Sequence, residues 1–376
     1  MATIGGNMLP FGRMIRYGNI VPGPKKIIKV GASTQGQFLL TDSHDLYYIG
    51  RNQGGESGNG NTNTVSSWTL VSADVSNFFV GDRTLVIIKN DNTIWTSGQT
   101  YWFSSSTTTS YSTVLVERTN WFTNAIPVSE IANIVCTNGL IFVLSTNSVL
   151  YGAGDNGYRG SLGIGSSSIY TLTQCATNVR KVMTNANDSM YLTLDNKLYS
   201  SGWNSSGQHG TGNQTQINTW GLRSSGVIDA AIGGNALNYY NGTSYFVCGQ
   251  TPNFLSSGTT TFRAVPLSTL PNSSPLFMTN SPALNTATQM VITSTYQKGV
   301  GANRGLGLNN SQTGAIYSAT NLQLPVEVSE IRDVLFSDGL TSILTKNGDV
   351  YSTGSYYAIP GAIEDVAVFT KIDLPK

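Results

Sequence analysis

The sequence contains few charged residues, few cysteines and no long apolar run, and each absence excludes a class of protein. Asp, Glu, Lys and Arg make up only 11% of the 376 residues, and the net charge is +1. That balance gives no field to attract nucleic acid or an anionic membrane. Three cysteines are too few and too scattered for a disulfide framework or a zinc site, so we expect buried free thiols. No stretch approaches the roughly 18 apolar residues of a membrane span, and the N-terminus lacks the apolar segment of a secretory signal.

Turn-forming residues and an internal repeat take the place of charge. The chain has 41 glycines and 18 tyrosines, a composition typical of many short strands joined by turns. One pattern occurs six times: an apolar residue, five residues, an apolar residue, an aromatic residue, two residues and a glycine. With a degenerate seventh copy, the closing glycines are 48, 56, 48, 47, 52 and 53 residues apart. These closing glycines are Gly50, Gly98, Gly154, Gly202, Gly249, Gly301 and Gly354.

Each copy of the pattern predicts a β-hairpin. Its middle is rich in Asn, Asp, Gly and Ser, which favour the tight turns of short hairpins. In the first copy this place is taken by Asp42, Ser43, His44 and Asp45. The Ser, His and Asp of a hydrolase converge from separate segments of the chain. We therefore interpret these four neighbours as a hairpin tip and not as part of an active site.

Seven units of about 50 residues predict an all-β fold, a seven-bladed β-propeller. A further strand signal precedes most of the hairpins, as in "KKIIKVGAS" at residues 25–33. We assign residues 25–376 to the propeller and residues 1–24 to an irregular N-terminal arm. The C-terminal "FTKIDLPK" has the pattern of an outer strand. We expect it to complete the blade that begins near Lys25 and so to close the ring.

Three of the units continue with a second motif, here called the Gly-Asn loop. Residues 50–60 are "GRNQGGESGNG", residues 154–165 are "GDNGYRGSLGIG" and residues 202–212 are "GWNSSGQHGTG"; a shortened version follows Gly301. The pattern G-x-N-x-x-G-x-x-G-x-G resembles the repeat of the regulator of chromosome condensation family, as do the preceding strand and the repeat length. The resemblance implies a propeller that serves as an exchange factor, an inhibitor, a photoreceptor or a scaffold. The chain lacks the basic tail of the exchange factors and the clustered tryptophans of the photoreceptor.

Two segments break the repeat, and we predict that both take part in interactions. Residues 98–127 form a long loop in place of the second Gly-Asn loop, and it contains the aromatic residues Tyr101, Trp102, Phe103, Trp121 and Phe122. Aromatic residues among Ser and Thr are typical of recognition surfaces, here for a host-surface ligand, although the rings could instead fold back over the blade. The arm has no acidic residue, and we expect it to dock on other subunits of an assembly. Its candidate contacts are Met8, Phe11, Arg13 and Arg16.

The sequence contains no recognisable catalytic, metal-binding or phosphate-binding motif, so we predict no enzymatic activity and no cofactor. His209 falls in a Gly-Asn loop, where we expect a packed loop residue. The composition favours a structural or attachment protein of a virus particle, such as a bacteriophage tail or capsid accessory, made in the host cytoplasm and carried in the virion. The alternative is a cytoplasmic protein-interaction module of a cell, exchange-factor-like or inhibitor-like. A glycan-cleaving enzyme is a third hypothesis.

Overall fold

A computed structural model of the chain contains seven four-stranded antiparallel sheets, each built from four consecutive strands. This arrangement confirms the seven-bladed propeller. The described residues are 25–104, 111–137, 139–156, 159–185, 187–250, 254–255, 257–280, 289–302, 306, 315–337 and 339–374. The predicted arm, residues 1–24, lies outside them. None of the helices in these ranges is long and apolar enough to cross a membrane.

The first four blades have strands of five to nine residues. Blade one contains β1 (Ile27–Ser33), β2 (Gly36–Thr41), β3 (Leu46–Gly50) and β4 (Val65–Ser72). Blade two contains β5 (Val75–Gly81), β6 (Thr84–Lys89), β7 (Ile94–Gln99) and β8 (Tyr111–Glu117), followed by the short helix α1 (Thr119–Thr123). Blade three contains β9 (Ile131–Cys136), β10 (Leu140–Ser145), β11 (Leu150–Gly154) and β12 (Ile169–Ala176). Blade four contains β13 (Val179–Thr184), β14 (Asp188–Thr193), β15 (Lys197–Gly202) and β16 (Ile217–Ser225).

The last three blades follow the same order. Blade five contains β17 (Asp229–Gly233), β18 (Ala236–Tyr240), β19 (Tyr245–Gly249) and β20 (Thr259–Ala264). Blade six contains β21 (Phe277–Asn280), β22 (Gln289–Ile292), β23 (Gln297–Ala302) and β24 (Ala315–Asn321). Blade seven contains β25 (Ile331–Ser337), β26 (Leu340–Thr345), β27 (Val350–Gly354) and β28 (Val366–Lys371).

The first strand of each blade is the innermost one. Each of these strands contacts the first strands of the blades on either side, and β25 contacts β1. The two middle strands of a blade are buried, as the fully buried β2 and β3 show, whereas the outer β4 is largely exposed. The core lies between blades: Phe38 in β2 and Phe78 in β5 pack with ring centroids 6.1 Å apart. Burial of both sheet faces against neighbours therefore holds the ring together.

The ring has two distinct ends. Hairpins between the second and third strands lie at one end, next to the start of the inner strands, as the bond from Asp42 N to Lys26 O (2.8 Å) shows. We call this end the hairpin face. The Gly-Asn loops follow the third strands and lie at the opposite end, the loop face. Residues 42–45 form a turn on the hairpin face, with His44 at a φ of 64°, which confirms the predicted hairpin tip.

The prediction that the C-terminal strand completes blade one is wrong. β28 pairs with β27 of blade seven, because blade one already has a fourth strand in β4. Side chains close the ring instead: Gln37 Nε2 donates to Ser342 Oγ (2.7 Å) and to Ser352 Oγ (3.2 Å). Just beyond β28, Asp373 O accepts a bond from Trp68 Nε1 (2.8 Å).

The closing glycines are required by both conformation and space. Gly202 has a φ of 130°, where residues with a side chain are strained. A Cβ at this position would collide with Asn187 O in the turn between β13 and β14. The same collision with the facing turn recurs at Gly154, Gly249 and Gly354. The repeat therefore ends in glycine because the third strand passes directly against this turn.

Replacing Gly202 by alanine should lower the free energy of unfolding by about 2–4 kcal/mol, because the strained φ and the collision both act. Gly226→Ala is the matched control: Gly226 has a φ of 71° but open space around the missing Cβ. It should cost only about 1 kcal/mol. Urea unfolding of both variants measures the difference, and equal losses would show that the close approach is unimportant.

Candidate functional site

Each Gly-Asn loop is folded around one buried asparagine. Asn204 Oδ1 accepts a bond from His209 N (3.0 Å), and its Nδ2 donates to Asn213 O (3.0 Å) and Thr215 O (3.1 Å). Asn52 and Asn156 make the corresponding bonds in blades one and three. Backbone N–H and C=O groups in the loop have no strand to pair with, and the asparagine side chain provides their hydrogen-bond partners instead. The motif is a structural device that fixes the shape of the loop.

The same loops connect neighbouring blades. The last glycine of each loop donates its N–H to a carbonyl in the outer strand of the next blade. The three bonds are Gly60 N to Thr113 O (2.7 Å), Gly165 N to Asn218 O (2.9 Å) and Gly212 N to Thr260 O (2.8 Å). Each accepting residue directly follows the residue that pairs with the closing glycine of its own blade. The Gly-Asn loops therefore anchor one blade to the next.

Blade two makes the equivalent connection with a tryptophan. Trp121 Nε1 in α1 donates to Tyr170 O in β12 (3.0 Å). Tyr170 follows Ile169, the partner of Gly154, just as Asn218 follows Ile217, the partner of Gly202. An indole N–H has taken the place of the glycine N–H. The aromatic segment of blade two therefore substitutes for the missing Gly-Asn loop.

This substitution corrects the interpretation of residues 98–127. The segment is not one loop, since it contains β8 and α1. Trp102 and Phe122 are fully buried in the core between blades two and three, so the prediction that they contact a partner is wrong. Their rings instead pack around Trp121, at centroid distances of 5.0 and 4.9 Å. Tyr101, Phe103 and Trp121 remain partly exposed.

The candidate residues of the arm cannot be placed in the fold. Met8, Phe11, Arg13 and Arg16 lie outside the described residues. Docking through them therefore stays a prediction.

Blade four contains a Ser–His–Asp group that the sequence analysis did not identify. Arg223 Nε donates to Ser200 Oγ (2.7 Å), which lies 2.8 Å from His209 Nδ1. His209 Nε2 lies 3.0 Å from Asp188 Oδ1, and Gln208 Nε2 donates to the other carboxylate oxygen (2.9 Å). With Arg223 donating to its oxygen, the Ser200 hydroxyl can donate to Nδ1, and Nε2 can donate to Asp188. Four segments of blade four thus converge in one buried network.

The network is built for stability and not for hydrolysis. Ser200, His209 and Asp188 are each fully buried, so a substrate cannot reach the hydroxyl. The orientation is also reversed, because a hydrolytic triad places Nε2 on the serine and Nδ1 on the aspartate. In the sequence, the only indication of this network is a pair of polar residues, Gln208 and His209. They stand at the sixth and seventh positions after the closing glycine.

Blade one has a second buried carboxyl at the position equivalent to Gln208. Glu56 Oε2 accepts a bond from Gly54 N (3.0 Å), and its Oε1 lies 3.4 Å from Ser33 Oγ and from Tyr48 Oη. Burial raises the pKa of Glu56 to about 7, although bonds from the backbone oppose this shift. These contacts offset only part of the cost of burying a negative charge on the Glu56 carboxylate.

The cysteines are free, and two of the three are buried. Burial raises the pKa of Cys136 to about 12, which makes this thiol unreactive. Within the described ranges, His, Cys, Asp and Glu form no group of three that could hold a metal ion.

Comparisons with known proteins identify the fold. No protein-family model and no curated protein sequence matches the chain. Human WBSCR16 superposes with a TM-score of 0.68 at 16% identity, over 86% of this chain and 88% of that one. This likeness is one of fold. Yeast RCC1 (Prp20), in a complex with Kap60, gives a TM-score of 0.53 at 15% identity, over 93% of this chain and 75% of that one. Prp20p from Saccharomyces cerevisiae, studied for its binding to Gsp1p and histones, gives 0.53 at 13% identity, over 93% and 77%.

His209→Ala should destabilise the propeller by roughly 3–5 kcal/mol, because Asp188 and Ser200 would lose a buried partner and a cavity would form. His44→Asn, in an exposed hairpin tip with a positive φ, should cost under about 1 kcal/mol, since Asn tolerates that conformation. Denaturant unfolding compares the two. A small loss for His209→Ala would contradict a structural role for the network.

Glu56→Gln should stabilise the protein increasingly as the pH rises. Between about pH 4.3, the value for an unfolded Glu, and pH 7, the folded protein binds more protons than the unfolded chain, so the wild type loses stability as pH increases. Glutamine removes this loss, worth roughly 3–4 kcal/mol above pH 7. Thermal unfolding at pH 5 and pH 8 tests this, with the exposed Glu364→Gln as the control for charge. A constant difference between wild type and variant would refute it.

Proposed function

We propose that the protein is a non-catalytic propeller that binds a protein partner through its hairpin face. The observation that carries this proposal is a group of exposed large apolar side chains on that face of blades four to six. They are Leu194 (58% exposed), Ile228 (44%), Leu267 (58%) and Leu276 (55%). We call these four residues the apolar patch. Contiguous exposed apolar surface on a folded domain commonly marks an interaction site.

The patch residues are neighbours in the ring. Ile228 and Leu276 directly precede β17 and β21, inner strands that contact each other. Leu194 lies at the tip of the blade-four hairpin, where Asn196 O accepts a bond from Val227 N (2.9 Å). Leu267 lies in the connection between β20 and β21. All four residues therefore lie on the hairpin face of blades four to six.

Charged pairs border the patch. Lys181 Nζ lies 2.6 Å from Asp229 Oδ1, and Lys197 Nζ lies 2.8 Å from Asp195 Oδ2. An apolar centre with a polar rim is the usual anatomy of a protein interface. The proposal is also supported by fold analogy: Prp20 has been solved in a complex with Kap60.

The narrower hypothesis concerns the source of the partner. A structural role in a virus particle, with the arm docking on other subunits, is based on composition and stays a prediction. A cellular partner is equally compatible with the patch. The identity of the bound protein distinguishes the two.

The proposal is tested by capturing partners on the immobilised full-length protein from a lysate of its source, with identification by mass spectrometry. The double variant Ile228→Asp/Leu276→Asp should retain the partner at least about tenfold less, because burying either aspartate in an interface is costly. Ile363→Asp is the matched control: Ile363 is 92% exposed and follows β27 at the loop face.

A partner retained equally by wild type and double variant would overturn the hairpin-face assignment. Circular dichroism must first show that the double variant is folded. Deleting residues 1–24 then tests the arm: virion subunits that are lost only with this deletion would support the viral hypothesis.

A further inference from the structure

We propose that a cavity at the outer edge of the ring, between blades two and three, binds an uncharged sugar residue of a glycan. The cavity has a volume of about 380 Å³ and is lined by Phe103, Glu117, Arg118, Thr119, Asn120 and Trp121. Small-ligand sites commonly occupy about 300–1,000 Å³, so this one holds one or two sugar rings.

The aromatic side of the cavity is rigid. Trp121 is fixed by its bond to Tyr170 O (3.0 Å) and by the buried ring of Trp102 at 5.0 Å. Phe103 packs against Trp121 at 5.9 Å. Rings that are already ordered lose little entropy when a ligand binds. The partly exposed Trp121 ring offers a flat surface to the apolar C–H face of a pyranose, whereas Arg118 already covers one face of the Phe103 ring.

The polar side of the cavity supplies both donors and acceptors. Glu117 provides a carboxylate and holds Thr119 Oγ1 by a bond of 2.8 Å. Arg118 provides guanidinium N–H groups and lies 4.0 Å from the Phe103 ring centroid. The exposed Asn120 contributes an amide that can donate and accept. A sugar hydroxyl both donates and accepts hydrogen bonds. The carboxylate, the guanidinium and the amide are planar groups that can each bond two neighbouring hydroxyls.

The charges of the lining favour a neutral ligand. The cavity has one carboxylate, on Glu117, and one guanidinium, on Arg118. An anionic ligand would lie beside Glu117 and a cationic one beside Arg118, and like charges at such distances repel. A hydroxyl-rich, uncharged molecule can donate to Glu117 and accept from Arg118 without repulsion from either charge.

The cavity is separate from the apolar patch. Its lining belongs to blade two and α1, whereas the patch lies on blades four to six. Sugar binding is therefore independent of the proposed protein partner, and either can fail without the other.

Saturation-transfer NMR on the full-length protein tests the inference. The probes are glucose, galactose, mannose, N-acetylglucosamine, lactose and maltose, with glucosamine and glucose 6-phosphate as charged comparisons. At least one neutral sugar should receive saturation, more strongly than its charged analogue. Asn120→Ala and Glu117→Gln should each weaken its binding about tenfold, because the first removes a polar contact and the second replaces a charged acceptor with a weaker neutral one. Asn124→Ala is the matched control: Asn124 is exposed just after α1 and outside the lining.

Two results would overturn the sugar site: absence of transfer to every neutral probe, or equal binding by Asn120→Ala, Glu117→Gln and Asn124→Ala. Stronger binding of a charged analogue would overturn the charge argument and with it the ligand class. Cleavage of lactose or maltose in the same samples would support the site but contradict the non-catalytic function proposed above.

Discussion

Four successive contacts between packed blades share one hydrogen bond, in which a donor from one blade reaches a backbone carbonyl in the outer strand of the next. In three blades the donor is the glycine N–H that ends a Gly-Asn loop, and in blade two it is the indole of Trp121. The bond matters because radially packed sheets diverge outwards and leave a gap there. Glycines, which have no side chain, let the loop approach this carbonyl closely. In blade two, where the loop is missing, the helix α1 and its aromatic rings fill the gap.

Blades one and four show that the interior tolerates different solutions at the same positions. Blade four has Asp188, Ser200 and Gln208 where blade one has Gly36, Tyr48 and Glu56. A carboxyl comes from the second strand in one blade and from the loop in the other. The phenol of Tyr48 occupies the space that a side chain at position 36 would need. The Ser–His–Asp arrangement in blade four is thus one of two different buried hydrogen-bonding arrangements at these positions.

Much of the fold follows from local pattern, whereas most of the candidate sites do not. The closing glycines and the turn residues predicted the hairpins correctly. Both signals depend on the backbone conformation of a few neighbouring residues, which the local sequence determines. The pattern of "FTKIDLPK" indicated an outer strand correctly, but pairing depends on which edge is free, and β4 already occupied the edge in blade one. The aromatic residues of blade two look alike in sequence, yet Trp102 is buried and Phe103 lines a cavity. The apolar patch joins residues from three blades, so no continuous stretch of the sequence predicts it.

The sequence by itself determined the number of blades, the hairpin tips and the Gly-Asn loops, because these depend on spacing and on the conformational range of glycine and asparagine. Tertiary structure decided what the remaining side chains do. Burial converted His209 and Asp188 into a structural network, raised the pKa of Glu56 and turned Trp121 into a link between blades. Such outcomes depend on neighbours that are brought close only when the ring closes, since solvation and hydrogen-bond partners are properties of the folded chain.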